Sequence, residues 1–159
     1  MILVLLGTQN NSFHRLLEEI QKNIDNGNIK DEVIVQKGYT KFESKDMKMY
    51  TQLPVNELNE LINKADLIIT HGGVGSIITA IEKNKKVIAV PRLKKYKEHV
   101  NDHQIDIIKS FDDLGYIIGI DNVEKLEDAL KIVPDFIPKE YIKNTGNILN
   151  LVSEFIDNN

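Results

Sequence analysis

The segment from residue 65 to residue 93 constrains the fold of this chain more than any other, because it holds two short apolar runs on either side of a glycine-rich turn. Residues 67–69 and 87–90 are apolar and rich in β-branched side chains, which is typical of strands buried on both faces of a parallel sheet. Between them, residues 71–76 read HGGVGS, and residues 77–81 repeat isoleucine at helical spacing. The segment therefore predicts a strand, a glycine loop, a helix and a second parallel strand.

The glycine loop at residues 71–76 has a physical use beyond turning the chain. Glycines let the main chain approach a ligand closely, and the following helix offers unpaired N–H groups and a partial positive charge to an anion, usually a diphosphate. A tight strand-to-helix turn without a ligand is the alternative. The dinucleotide fingerprint G-x-G-x-x-G is incomplete, because Ile78 stands where its third glycine belongs. A P-loop is also excluded, since no Gly-Lys pair followed by Ser or Thr occurs.

Composition limits the classes of function. With 159 residues, the chain is expected to form one domain, residues 1–159. Its formal net charge of −4 argues against nucleic acid as a partner. The absence of cysteine excludes a disulfide scaffold and thiolate chemistry, and it fits a reducing cytosol. No apolar run approaches the roughly 18 residues of a membrane span, and the apolar start of the chain predicts a strand, not a signal peptide.

Strands and helices alternate along the rest of the chain. Further strands are predicted at residues 2–6, 33–35, 47–50 and 115–120. Further helices are predicted after Ser12 as N-cap, from Pro54, from Asp102, over residues 123–133, and at the end of the chain up to Ile156. The alternation predicts a Rossmann-like α/β fold, in which helices cover both faces of a parallel sheet.

Side-chain spacing predicts how these helices pack. The buried faces are expected to be Phe13, Leu16, Leu17 and Ile20 in the first helix, Val55, Leu58, Leu61 and Ile62 in the second, and Ile105, Ile107, Ile108 and Phe111 after residue 102. Lys83, Lys85 and Lys86 are expected to interact with the end of the helix that precedes them. The final helix carries an apolar stripe, Ile148, Leu149, Val152, Phe155 and Ile156, which is either a docking surface or packed on its own sheet.

Three polar loops follow strands in this scheme, at residues 7–12, 71–76 and 92–104. Ligands of open parallel sheets bind beyond the carboxyl ends of the strands, so these loops are expected to face one crevice. His71 and His103 lie inside two of them, and each is either a ligand contact or a structural histidine.

Other polar residues are expected to be solvated. His14 and His99 are predicted at the surface, and the lysine-rich run at residues 92–97 is predicted to be a solvated loop, with attraction to anionic lipid as the alternative. No group of His, Asp or Glu shows the spacing of metal ligands, so no metal site is expected.

In this order, the three loops resemble those of the donor-binding, C-terminal half of GT-B glycosyltransferases of family 28. The resemblance rests on Gly7-Thr8, the loop at residues 71–76, Val90-Pro91-Arg92 and Asp102-His103-Gln104, and it covers most of the chain. The chain is most similar to single-domain members. These are the PssE-type catalytic subunits of bacterial exopolysaccharide glycosyltransferases and the catalytic subunit of the eukaryotic transferase that adds the second N-acetylglucosamine of N-glycans.

The resemblance implies a UDP-sugar as donor substrate and no cofactor. The implied donor-binding residues are Gly7, Thr8, His71, Gly72, Gly73, Val74, Gly75, Ser76, Thr79, Pro91, Arg92, Asp102, His103 and Gln104. Among them, residues 73–76 would hold the diphosphate, and Pro91 and Arg92 would frame the uridine. Gln104 would pair with sugar hydroxyls. Larger family members carry a glutamate that holds the ribose at the position of Thr79, and Glu82 is the alternative residue for that contact.

The resemblance also implies a function. The chain would be the catalytic, UDP-sugar-binding subunit of a two-subunit inverting glycosyltransferase, which adds a hexose (galactose, glucose or N-acetylglucosamine) to a lipid-diphosphate-linked sugar in exopolysaccharide or capsule synthesis. His71 and His103 are the candidate catalytic residues. A membrane-anchored, acceptor-binding partner would recruit this cytoplasmic chain to the inner face of the plasma membrane. The alternatives are a non-catalytic nucleotide-sugar-binding subunit that activates another glycosyltransferase, and a stand-alone nucleotide-sensing module.

Overall fold

Six parallel strands form one sheet within residues 1–142, which are the residues that the computed structural model describes. The strands are Ile2–Leu5 (β1), Val33–Gln36 (β2), Met47–Tyr50 (β3), Leu67–His71 (β4), Lys86–Val90 (β5) and Ile118–Gly119 (β6). Their order across the sheet is β3-β2-β1-β4-β5-β6, and every neighbouring pair is parallel. This is the strand order of doubly wound, Rossmann-type sheets.

Helices cover both faces of this sheet, as the sequence predicted. They are His14–Asp25 (α1), Val55–Lys64 (α2), Val74–Glu82 (α3), His103–Asp113 (α4) and Leu126–Ile132 (α5), with short 3-10 turns at Lys94–Tyr96, Val123–Lys125 and Val133–Asp135. Buried side chains of α1 and α5 share one core with one face of the sheet, and those of α2, α3 and α4 share a second core with the other face. The predicted α/β architecture is therefore confirmed.

The central strands are buried because their sequences are largely apolar, with Thr70 and His71 as the buried polar residues of β4. In β1, Ile2 and Val4 face the core under α1, while Leu3 and Leu5 face the core under α3. Strand β4 is buried along its whole length. Since burying one such side chain stabilises a fold by roughly 1.5–3 kcal/mol, these continuous apolar runs fix both the strand register and the positions of the loops that follow.

The start of α1 differs from the prediction. Phe13, not Ser12, is the N-cap residue, and no side chain within the helix start caps it. Instead, the main-chain N–H of Phe13 donates a hydrogen bond of 2.9 Å to Oγ1 of Thr40, which is buried. A hydroxyl from the connection between β2 and β3 thus satisfies this donor, and the connection is held over the start of α1.

The lysines after α3 also act differently from the prediction. Nζ of Lys85 donates to the carbonyl oxygens of Asn63 and Ala65, at the end of α2, at 2.7 and 3.0 Å. Nζ of Lys86 donates to the carbonyl oxygen of Val133, after α5, at 2.8 Å. Both cations meet carbonyls at helix C-termini, as expected from the helix dipole, but these are neighbouring helices and not α3.

Smaller differences concern the ends of elements. Val55 is 75% exposed because it is the first residue of α2, and Ile105 is only half-buried. The helix predicted at 123–133 is divided between a 3-10 turn and α5, and only two residues of the strand predicted at 115–120 pair with β5. The predicted stripe at Ile148, Leu149, Val152, Phe155 and Ile156 lies outside the described residues. Among residues 1–142, no helix has the length and apolar character to cross a membrane.

Replacing Thr40 with valine should destabilise the fold. Valine has the same shape but no hydroxyl, so the N–H of Phe13 would stay buried without an acceptor, which costs about 1–3 kcal/mol. Urea unfolding of Thr40→Val and of a control at an exposed threonine, Thr51→Val, measures the effect. Equal free energies of unfolding for the two variants would contradict this role of Thr40.

Candidate functional site

A cavity of about 670 Å³ lies at the carboxyl edge of the sheet, where β1 and β4 are neighbours. The chain runs outward in opposite directions from these two strands, which makes this the switch point where ligands of such sheets bind. All three polar loops reach the cavity, so their predicted convergence is confirmed. The lining residues are Thr8, Gln9, Asn10, Asn11, Gly72, Gly73, Val74, His99, Val100, Asn101, His103, Gln104 and Ile107.

Helix α3 begins at the wall of the cavity. Gly73 is its N-cap residue, Val74 is its first residue, and no side chain caps the helix start. The first N–H groups of a helix have no acceptor within the helix, and they carry a partial positive charge. The cavity therefore meets a helix terminus that favours an anionic group.

Three glycines near the cavity are required by close packing. A Cβ atom on Gly7, whose φ is +79°, would lie 2.6 Å from Nε2 of His71, and a Cβ on Gly73 would lie 2.4 Å from Cε1 of the same ring. A Cβ on Gly72 would lie 2.7 Å from Cβ of Gln104. By contrast, nothing lies within 4 Å of the corresponding position on Gly75. Packing thus explains the glycines at 7, 72 and 73 but not the glycine at 75.

His71 is a buried and neutral residue. Its ring lies against Gly7 and Gly73, and its side chain does not line the cavity. Burial first, and then the positive charge of Arg92 and the neighbouring His99, lower the pKa of His71 to about 3. A general base works best with a pKa near the operating pH, so this environment argues against His71 as the catalytic base.

Gln104 joins the ends of two strands. Its Oε1 accepts hydrogen bonds from the main-chain N–H of Gly72, at 3.0 Å, and of Arg92, at 2.9 Å. The residue is buried, although part of it lines the cavity. Because both lone pairs of Oε1 are used within the protein, this oxygen does not fit the expected pairing with sugar hydroxyls.

Arg92 differs most from the expectation. Its side chain is 1% exposed and does not line the cavity, so it does not frame a ligand. Nη1 donates to the carbonyl oxygens of Asn11, at 2.9 Å, and Glu98, at 3.1 Å, and Nη2 donates to the carbonyl oxygen of Leu6. Burial lowers the pKa of Arg92 to about 10, against the opposing effect of Glu98, so the guanidinium keeps its charge at neutral pH. Pro91 is buried as well.

An ion pair with a buried carboxylate holds the loop after β5. Both carboxylate oxygens of Glu98 accept hydrogen bonds from Arg15 in α1, each at 2.8 Å, and Oε1 also accepts from the N–H of Leu93. The guanidinium of Arg15 lies 3.9 Å from the ring centroid of Tyr96. The predicted solvated run is therefore ordered at both ends, and its exposed cations are Lys94, Lys95 and Lys97.

Several residues that line the cavity were not predicted from the sequence as site residues. His99 was expected at the surface, but it lines the cavity, and its Nε2 lies 3.1 Å from the side-chain nitrogen of Gln9. Burial and the charge of Arg92 lower the pKa of His99. Asn101 and Val100 also line the cavity. Their positions in a loop after a strand were the only signal for them. His14, in contrast, is exposed as predicted.

Among the remaining predicted residues, His103 lines the cavity, whereas Ser76, Thr79 and Asp102 do not. Ser76 and Thr79 lie in the first turns of α3, where Oγ1 of Thr79 donates to the carbonyl oxygen of Gly75 at 2.8 Å. Oδ1 of Asp102 accepts from the N–H of Lys94 at 2.8 Å. His103 lines the cavity at the start of α4, and its role as a catalytic base stays a prediction. Within the described part of the chain, no three His, Cys, Asp or Glu side chains are close enough to hold a metal ion.

Comparison with known proteins gives a family and several relatives. Residues 1–158 match the model of the family described as "Glycosyltransferase family 28 C-terminal domain". The UDP-N-acetylglucosamine transferase subunit ALG13 of Candida albicans is 32% identical over 110 residues, which cover 69% of this chain and 32% of that protein. The corresponding subunit of Candida glabrata is 29% identical over 121 residues, which cover 74% of this chain and 58% of that protein. The chain thus spans between one third and three fifths of these relatives.

Solved structures share the fold. The NMR solution structure of ALG13 matches with a TM-score of 0.64 at 18% identity, over 98% of this chain and 96% of that chain. The crystal structure of MurG from Acinetobacter baumannii matches with a TM-score of 0.56 at 16% identity, over 84% of this chain and 42% of that chain. These likenesses concern the fold, and they confirm the predicted C-terminal half of a GT-B architecture.

The buried His71 should make stability depend on pH. The folded chain takes up a proton at this ring near pH 3, whereas a histidine in the unfolded chain does so near 6.5. The unfolded state therefore binds more protons between these values. The stability that neutral His71 contributes is complete above pH 6.5 and is lost as the pH falls through this window, by up to about 1.4 kcal/mol per pH unit.

Urea unfolding at pH values of about 7 and about 5 measures this slope. His71→Gln should flatten it, because glutamine does not titrate, whereas the exposed His14→Gln should leave it as in the wild type. An unchanged slope in His71→Gln would show that the ring is not held neutral by the fold.

Proposed function

This chain belongs to the glycosyltransferase family 28 C-terminal domain family, and from this premise we propose that it is the UDP-sugar-binding subunit of a glycosyltransferase. The observation that carries the proposal is the cavity at the switch point of the sheet, which joins the start of α3 to polar loops after β1 and β5. A volume of about 670 Å³ lies within the range of roughly 300–1,000 Å³ that small-molecule sites occupy.

The charges around the cavity suit an anionic donor. Arg15 and Arg92 carry two positive charges against the single negative charge of Glu98, so this cluster, in which Arg92 and Glu98 are buried and Arg15 is partly buried, is positive by one charge. It lies directly under the loops that line the cavity, because Asn11 accepts a hydrogen bond from Arg92. The helix terminus at Gly73 adds a partial positive charge, which supports our assignment of the diphosphate of a UDP-sugar to this position.

The reaction that fits is a direct displacement with inversion. The acceptor oxygen forms a bond to the anomeric carbon of a hexose as the bond from that carbon to the diphosphate breaks. A base removes the acceptor proton, and the N–H donors at the start of α3 stabilise the negative charge on UDP as it leaves. His103 or a residue of a partner subunit is the base, since the lowered pKa of the buried His71 makes it a weak base. The donor hexose is galactose, glucose or N-acetylglucosamine, and no metal ion is required.

A partner subunit completes the proposed enzyme. The relatives from Candida are named as subunits of a UDP-N-acetylglucosamine transferase, which supports an assembly with a second chain. We place the acceptor site, for a lipid-diphosphate-linked saccharide, on a membrane-anchored partner at the inner face of the plasma membrane. Exopolysaccharide or capsule synthesis is the process that would use this reaction.

Gly75→Ala should weaken UDP binding without destabilising the fold. The added methyl group has open space in the protein, and alanine favours helix by up to about 1 kcal/mol, but the methyl would hold a diphosphate away from the main chain. Calorimetry should show a loss of about tenfold in UDP affinity, or about 1.4 kcal/mol. The matched control is Asn56→Ala, at the same helical position in α2.

Two outcomes would contradict this prediction. If Gly75→Ala binds UDP with wild-type affinity, the diphosphate does not bind at the start of α3. If the wild-type chain binds UDP and ADP with equal affinity, it has no preference for uridine.

Sugar transfer should require the partner. The test is transfer from a panel of UDP-sugars to a lipid-diphosphate-linked acceptor, by the isolated chain and by the chain coexpressed with its partner, each with and without EDTA. We expect product only from the pair, and equally with EDTA. Full turnover by the isolated chain would refute the two-subunit proposal, and loss with EDTA that magnesium restores would refute the metal-independent one.

A further inference from the structure

The orientation of the Gln104 amide is fixed by its neighbours. Its Oε1 lies 3.0 Å from the main-chain nitrogen of Gly72 and 2.9 Å from that of Arg92. Both main-chain groups are N–H donors, so only an oxygen can face them. A reversed amide would set its NH₂ group against two donors inside the protein. The amide nitrogen of Gln104 must therefore point the other way, where it lies 3.3 Å from Nδ1 of His71.

This orientation determines where His71 carries its proton. An amide nitrogen can only donate, so Nδ1 of His71 must accept the hydrogen bond and cannot itself carry a hydrogen. A neutral imidazole has one N–H group, which leaves the proton on Nε2. Burial and the charges that face the ring, Arg92 and His99, keep the imidazole neutral by lowering its pKa. One tautomer remains.

The nitrogen that carries this proton lies between two glycines. A Cβ atom on Gly7 would come within 2.6 Å of Nε2, and a Cβ on Gly73 within 2.7 Å. Gly73 lines the cavity, and Gly7 begins the loop that forms the facing wall. Any larger residue at either position would cover the N–H group.

We propose that Gln104 is a positioning residue, which holds His71 in the Nε2–H tautomer and so supplies an uncharged hydrogen-bond donor at the gap between Gly7 and Gly73. His71 is not itself part of the cavity lining, but Gly73 is, so the acceptor would be an oxygen of the donor substrate that reaches the gap between the two glycines. That part rests on the proposed function. The tautomer itself does not depend on it. In this role Gln104 acts through His71.

Long-range ¹H–¹⁵N correlation spectra of the ¹⁵N-labelled full chain measure the tautomer directly. His71 should show a protonated Nε2 and an unprotonated Nδ1 throughout the range from about pH 8 to about pH 5. Comparison with His71→Gln assigns the signals. A protonated Nδ1, a mixture of tautomers or an imidazolium in this range would overturn the proposal, and the tautomer is read from the wild-type chain.

Gln104→Glu tests the positioning role. The carboxylate has the shape of the amide and can still accept from Gly72 and Arg92, but it cannot donate to Nδ1. The proton of His71 should therefore move to Nδ1, or the ring should become an imidazolium near neutral pH. Asn10→Asp, which adds a carboxylate elsewhere in the lining of the same cavity, should leave the tautomer of His71 unchanged.

UDP affinity gives the second readout. At about pH 7.5, Gln104→Glu should bind UDP about tenfold more weakly, and part of the loss should be recovered near pH 5.5, where an imidazolium again carries a proton on Nε2. If the loss of affinity is equal at both pH values and the wild-type tautomer is retained, Gln104 has only a structural role and does not position His71. If the wild-type chain does not bind UDP while the tautomer is as stated, the proposed function fails and the role of Gln104 stands.

Discussion

The buried guanidinium of Arg92 is the interaction on which the candidate site depends. Strand β4 lies between β1 and β5, yet Arg92, just after β5, donates to carbonyl oxygens of Leu6 and Asn11 after β1. Burying a charge is costly unless its donors are bonded, and these carbonyls, with that of Glu98, accept from Nη1 and Nη2. The buried Nε of Arg92 has no hydrogen-bond partner among the described residues. Because the arginine spans the end of β4, the two outer loops become opposite walls of one cavity.

Gln104 holds the middle of the carboxyl edge of the sheet. Its amide oxygen accepts from the main-chain N–H groups of Gly72, in the glycine loop after β4, and of Arg92. Glu98, in the loop after β5, binds Arg15 of α1. The three loops are therefore joined by hydrogen bonds within the protein. A site whose walls are fixed in advance loses less freedom when a ligand binds, which favours affinity.

The pattern of the sequence predicted what depends on local periodicity. Continuous apolar runs gave β1, β4 and β5, and the connectivity of βα units then required the loops to meet at one edge. The burial of Arg92 could not be predicted from local periodicity, because it depends on contacts with Asn11 and Leu6, which are 81 and 86 residues away in the chain. The residues that follow it at 94, 95 and 97 are exposed lysines. The acceptor for Phe13 was missed for the same reason, since Thr40 is 27 residues distant.

The charged side chains of the site do not line the cavity. They lie behind the uncharged residues that would contact a ligand. Outside the histidines, the residues that line the cavity are amides, a hydroxyl, glycines and apolar side chains. The charges of Arg92 and Glu98 are buried behind them, and that of Arg15 is partly buried. Fixed dipoles of this kind need no reorganisation when negative charge develops on a leaving group. They also avoid the desolvation of an exposed cation each time a ligand enters. On the proposed function, this arrangement suits a subunit that must hold a diphosphate during transfer and then release UDP.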